Sequence, residues 1–253
     1  MKGDTALARE GGEDEDARLA AVRRYDVLDT PPDGSFDRIT ALAARFFDVP
    51  ISIISIVDHD RIWFKSHHGV DATEIGRDPG LCASAICQVE PWLVTDAQVD
   101  VRTIDNPLVA GELGLRFYLG VPLTTSDGFN LGTLNVIDVK PRQVTEAEMA
   151  TLRDLAAVVI DELELRLNVR TTFDERRRRA LELNDEVVQG LAVAQLALRA
   201  GREQQAQDAI ETTLSAAQQI VGELLESAGD RGRLHPGDLV RTTHASVSLS
   251  SKT

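Results

Sequence analysis

Apolar residues change their spacing along this chain, and each change marks an element. Ala17 to Leu28 has helical spacing, with Leu19, Val22 and Leu28 apolar, and Asp29-Thr30-Pro31-Pro32 stops it because proline lacks a donor and restricts the residue before it. Phe36, Ile39, Leu42, Ala43 and Phe46 line one side of a second helix over 36–47. The period then shortens. Ile51 to Val57 is β-branched and brief, which predicts a buried strand, and Arg61 to Ser66 follows a turn at Asp58-His59-Asp60 as its partner. Cys82 to Ile86 is expected to form a short helix. Trp92 to Thr95, Phe117 to Thr124 and Leu131 to Val136 read as further strands, the last two joined by a loop at Ser126–Asn130. Thr145 opens a helix, with Glu148 three residues on forming a capping box, and Leu152, Leu155, Val159, Leu163 and Leu167 continue its stripe.

Strands grouped between helices predict an α+β domain with an antiparallel sheet, of about five strands. Beyond Arg178 the strands cease. Leu181, Val188, Leu191 and Leu198 form one stripe, Ala200-Gly201 interrupts it, and Ile210, Leu214, Ala217, Val221 and Leu224 form another. Two such helices make an αα-hairpin that cannot bury both stripes alone, so a dimeric four-helix bundle is expected. The predicted organisation is therefore a disordered segment over 1–16, a domain over 17–168 ending in a long helix, a helical hairpin over 169–228 and a flexible tail over 229–253.

The chain has 253 residues, of which 43% are hydrophobic but only 4% aromatic, so its core must be aliphatic. A net charge of −14 repels phosphate backbones and anionic lipid, which argues against nucleic-acid or membrane partners. The basic run Arg176–Arg179 reads as a solvated helix face. No window resembles a membrane span or a signal peptide, so a cytoplasmic location is expected. Cys82 and Cys87 are too few for a disulfide framework and have no partners for zinc. His67 and His68 are adjacent, so on a strand they point to opposite faces and cannot share a metal. The residues require no cofactor and offer no metal site.

The segment from Arg18 to about Arg166 resembles a GAF domain of the kind attached to bacterial histidine kinases and cyclic-dinucleotide enzymes. The resemblance rests on Arg18-Leu19, Val27 to Pro32, Phe36 to Ile39, Ile54 to Asp58, Trp63-Phe64-Lys65 and Leu81-Cys82-Ala83. It continues through Asp105 to Val109, Arg116-Phe117-Tyr118 and Leu131 to Asp138. It implies helices on one face of an antiparallel sheet and a cavity under loops on the other. Trp63, Phe64, Cys82, Phe117 and Tyr118 are its candidate ligand-binding residues, or simply pack the sheet. Cys82 is open to three readings: a thiol sensor, a bilin attachment point or a small buried side chain. Where the family commonly has histidine, this chain has Ser84. Two cysteines at this spacing do not match the methionine sulfoxide reductases of the family.

Ala180 to Leu191 resembles the phosphoacceptor helix of histidine kinases that serve NarL-type response regulators. Asn184 stands where the histidine belongs, and Asp185 and Gln189 match the family's acid and glutamine. An amide nitrogen is not a nucleophile, because its lone pair is delocalised, and only a short polar tail follows the hairpin, so no autophosphorylation is expected. The resemblance implies a homodimeric, non-kinase adaptor that docks a response-regulator receiver. Alternatives are a receiver phosphatase using Gln189, with Asp185 in a lesser role, and a ligand- or redox-sensing GAF protein whose helices only dimerise. Asp185 and Gln189, four apart, share a helix face, which a solvated polar surface explains as well.

Overall fold

The computed structural model describes residues 4–78 and 80–227. The chain divides into one compact unit through Val169 and a second from Arg170. The first begins with α1 (Asp4–Tyr25) and α2 (Gly34–Phe47). Strands β1 (Ile51–Val57), β2 (Arg61–His68) and β3 (Glu74–Gly76) follow, then α3 (Leu81–Ala85), β4 (Trp92–Val94) and α4 (Pro107–Ala110). Strands β5 (Phe117–Thr124) and β6 (Asn130–Asp138) lead into α5 (Glu146–Arg199), which continues into the second unit, where α6 (Glu203–Ser227) completes a hairpin. The strands form one antiparallel sheet in the order β3-β2-β1-β6-β5-β4. This is the expected α+β architecture with one more strand. β3 was missed because three residues at a sheet edge carry no alternation to read.

Helix α1 starts at Asp4, so the segment over 4–16, expected to be disordered, is helical. Ala6, Leu7, Ala8, Arg9 and Glu10 are good helix formers that outweigh Gly11-Gly12. The helix is also anchored near its middle. The buried Arg18 donates to the carbonyl of Val57 at 2.8 Å and pairs with Glu15, which receives Arg77 at 2.6 Å as well. Residues 1–3 and the tail over 229–253 lie outside the described residues.

Each face of the sheet has its own core. Phe36, Phe47, Ile54, Ile56, Trp63, Phe117, Leu119 and Leu134 pack under α2 and the first part of α5, which contributes Leu152, Ala156, Val159 and Leu163. The capping box at its start is reciprocal: Thr145 N–H donates to Glu148, and Glu148 N–H donates to Thr145 Oγ1. The Leu152 stripe is thus consumed inside its own unit and is not free for a dimer. A different row, Val158, Leu165 and Val169, is 50%, 58% and 62% exposed.

In the second unit α5 ends in a Schellman turn. Gly201, at φ +70°, donates to Leu198 O, and Arg202 donates to Ala197 O. The hairpin is closed by small residues: Ala194, Ala197 and Ala206 are buried, and a Cβ on Gly190 would lie 1.7 Å from Thr213 Oγ1. The large apolar side chains Leu181, Val188, Leu191, Leu198, Ile210 and Leu214 stay about half exposed. Among the described residues, no helix is long and apolar enough to cross a membrane.

Candidate functional site

The sheet face opposite α2 carries the site. One rung of the ladder aligns Ile51 with Ile137 and Ile137 with Tyr118; the next aligns Ile53 with Asn135, Asn135 with Gly120 and Gly120 with Trp92. Partners in a ladder share a face, so these side chains form one wall. Leu81 and Cys82 from α3 cover it, with Leu108, Leu113 and Leu115 from the α4 region and Val70, Ala72 and Ile75 from the far side. Between them lies a cavity of about 220 Å³.

A bulge in β2 decides which of its residues reach this cavity. Ile54 pairs with Ser66 but Ser55 pairs with Phe64, so the register slips by one at Lys65. Phe64 is placed on the cavity wall. Lys65 and Ser66 both project toward the helices, where Ser66 donates to Asp37 at 2.7 Å. The Lys65 ammonium donates to Thr30 Oγ1 at 2.8 Å and to Pro31 O at 3.0 Å, and lies over the rings of Phe36 and Trp63. Burial holds its pKa below the usual lysine range. The same α1–α2 loop is held from α5, where Arg166 meets Asp33 at 2.6 Å.

Of the five candidate ligand-binding residues, the structure brings Phe64, Cys82 and Tyr118 to the cavity. Trp63 and Phe117 belong to the opposite core. The correction follows from strand geometry, since adjacent residues on a strand face opposite ways. Trp63-Phe64 and Phe117-Tyr118 each supply one wall residue and one core residue. The aliphatic lining was missed because Ile51, Ile53 and Ile137 look like ordinary strand core until the register is known. Ser84, in the position where the family commonly has histidine, is exposed on α3.

Behind the cavity lies a buried polar chain. Tyr118 OH donates to Cys82 Sγ at 3.6 Å, and Asn135 Nδ2 donates to the same sulfur at 3.4 Å and to Thr133 Oγ1 at 3.1 Å. Thr133 in turn meets Ser55 at 2.9 Å. Burial, reinforced by the Cys82 thiol, pushes the Tyr118 hydroxyl well above the usual tyrosine range, so it remains a donor. Trp92 Nε1 and Asn135 Oδ1 are buried without a hydrogen-bond partner. Cys82 is buried and Cys87 exposed, both as free thiols. Among the described residues, no three His, Cys, Asp or Glu side chains gather as metal ligands do.

A family model described as a GAF domain matches residues 31–163, more than half of the chain. The chain belongs to the GAF-domain family. The chain is similar to a cyclic di-GMP phosphodiesterase of Pseudomonas aeruginosa, 42% identical over 149 residues. The match covers 58% of this chain and 25% of the phosphodiesterase, so the chain spans about a quarter of that relative. Among solved structures, it resembles the GAF domain of an Acinetobacter phosphoenolpyruvate-protein phosphotransferase at 16% identity and a TM-score of 0.42, covering 63% of this chain and 98% of that one. It also resembles a free methionine-R-sulfoxide reductase of Neisseria meningitidis at 22% identity and a TM-score of 0.43, covering 59% and 86%.

The GAF unit carries ion pairs that set its acid response. The Arg18 and Arg77 guanidiniums hold Glu15 at about 2, against an ordinary value of 4.5. A carboxylate depressed on folding adds stability above its unfolded pKa, and that stability is lost as pH falls through the folded value. Resistance to urea is therefore expected to decline from about pH 4.5 toward about pH 2. Glu15→Gln should cost on the order of 1 kcal/mol at pH 7, after discounting for solvent, and flatten the acid limb. Urea midpoints across pH for both proteins measure this; parallel curves would refute it.

Proposed function

We propose that this chain is a non-kinase signalling adaptor: its GAF unit senses a ligand in the cavity, and its helical hairpin forms a homodimer that docks a response-regulator receiver. The observation that carries the reading is the inverted hairpin, with alanine and glycine inside and Leu181, Val188, Leu191, Ile210 and Leu214 outside. A chain that exposes large side chains along both helices gains most by covering them with a second copy of itself. The row Val158, Leu165 and Val169 on α5 offers a similar seam. The chain is also similar over 149 residues to a cyclic di-GMP phosphodiesterase, which supports a role in signalling.

The hairpin's resemblance to a phosphoacceptor helix supports receiver docking. Asn184, Asp185 and Gln189 are all exposed, as residues meeting a partner must be. With an amide at position 184, purified protein should take up no phosphate from labelled ATP. Asn184→His should accept phosphate only from a kinase domain supplied in trans. Acid-labile label on the unsubstituted protein would overturn this.

A second reading is receiver phosphatase activity, favoured by the exposed carboxamide of Gln189 one turn from Asp185. A carboxamide that orients the attacking water contributes through position alone, about tenfold to a thousandfold in rate. The test is the decay of a phosphorylated receiver with and without this protein. Acceleration that Gln189→Ala removes, and Asp185→Ala largely keeps, supports the phosphatase. Binding with unchanged decay leaves the adaptor, and no binding removes both.

A further inference from the structure

The cavity restricts its ligand more narrowly than the sensory reading requires. No charged side chain lines it. Phe64 and Tyr118 supply rings, Ile51, Ile53 and Ile137 supply the flat aliphatic floor, and Cys82 supplies a thiol. The hydroxyl of Tyr118 is turned to Cys82 Sγ and the Asn135 amide nitrogen reaches the same sulfur, while the unpartnered Asn135 Oδ1 and Trp92 Nε1 behind the wall carry no charge. An anionic group entering here would lose its hydration and find no counter-charge, a cost that exceeds what a small contact surface returns. Cyclic nucleotides and cyclic dinucleotides carry phosphate and would meet that cost on entering the cavity.

Size sets the other limit. A dry apolar cavity of about 150 Å³ holds one benzene ring. The cavity here, at about 220 Å³, has room for a second fused ring. Its rim is formed by Ala72, which is exposed, and Leu113, which is 37% exposed, so entry needs no passage through the core.

We infer that the GAF cavity takes a neutral, largely apolar molecule of one or two rings and rejects anionic ligands, nucleotides included. This rests on the reading of the cavity as the sensory site. The ligand is held by area and shape, with Leu113 and Ala72 at its edge.

The test uses the full chain and indole as the neutral two-ring probe, followed by isothermal titration calorimetry and thermal melting. Indole should bind with a Kd at or below about 1 mM and raise the melting temperature. Indole-3-carboxylate, the same rings with a charge, should bind at least about a hundredfold more weakly. Ala72→Phe places a ring in the mouth from an exposed position and should abolish indole binding while circular dichroism stays unchanged. Cyclic AMP and cyclic di-GMP should not bind. Equal binding of indole and its carboxylate, indole binding that survives Ala72→Phe, or no binding of indole at all would overturn the inference. Nucleotide binding that Ala72→Phe removes would overturn this ligand class yet keep the cavity as the sensory site. If no probe binds, and Ala72→Phe also leaves self-association and receiver decay untouched, the sensory reading falls with it.

Discussion

Gly132→Val is expected to unfold the GAF unit. Gly132 pairs with Ile56 where β6 meets β1, near the middle of the sheet. A Cβ there would lie 1.8 Å from the Ser55 carbonyl oxygen and 2.8 Å from the Ile56 Cα, so it strikes backbone rather than a movable side chain. Relief requires the two central strands to part, which breaks the ladder that aligns Ile53 with Asn135. Overpacking in a well-fitted interior costs typically 1–3 kcal/mol, and a backbone collision at a strand pair belongs at or beyond the top of that range. Domains have only about 5–15 kcal/mol in hand. Gly132→Ala should lose about 3 kcal/mol, and Gly132→Val should leave little cooperative urea transition. Far-ultraviolet circular dichroism against urea measures both. If Gly132→Ala matched the parent within about 0.5 kcal/mol, the strand register would be wrong.

That glycine also marks how far the sequence can be read. Leu131-Gly132-Thr133 was recognisable as part of a family pattern, and the strand around it was evident from alternation. The reason for glycine was not, because it depends on Ser55, some 77 positions earlier and on a neighbouring strand. The same limit applies to the cavity. Periodicity predicted both strands that hold Phe64 and Tyr118, and their adjacent aromatics Trp63 and Phe117 were the natural companions to choose. One pair of neighbours cannot serve one pocket, and that much was legible from strand geometry alone. The bulge at Lys65 was not legible, since no local residue preference announces it. Helix boundaries were readable where caps exist, at Thr145 and Gly201. They failed at Asp4, where ordinary helix formers sit among acidic and glycine residues that resemble a disordered segment.

Leu191→Glu is expected to abolish self-association while leaving each chain folded. Leu191 is 54% exposed on the isolated hairpin, so a glutamate there costs a lone chain little. In a bundle formed by two hairpins, the symmetric partner brings a second glutamate to the same interface. Two carboxylates then lose water without a counter-charge. The dissociation constant should rise at least about a hundredfold, which sedimentation velocity resolves over a micromolar concentration series. Circular dichroism should show unchanged helix content. The double contrast matters: a monomeric parent at micromolar concentration would remove the homodimer altogether, and a variant that still dimerises would move the interface away from the Leu191 stripe. The Val158, Leu165 and Val169 row would then be the seam to substitute next.

The clamp on the α1–α2 loop has an energetic consequence for any signal that passes through it. Phe64 touches the cavity, Lys65 beside it grips Thr30 and Pro31, and Asp33, two positions after Pro31, meets Arg166 on α5. The last step is an ion pair whose side chains are 41% and 27% exposed, and such pairs are worth about 0–1 kcal/mol. A ligand can bias two conformations only by the difference in free energy that its contacts transmit. Through this pair alone, that difference changes a population ratio by about fivefold at most. Any signal carried by this clamp alone is therefore graded rather than all-or-none, and its gain should fall as salt screens the Asp33–Arg166 pair.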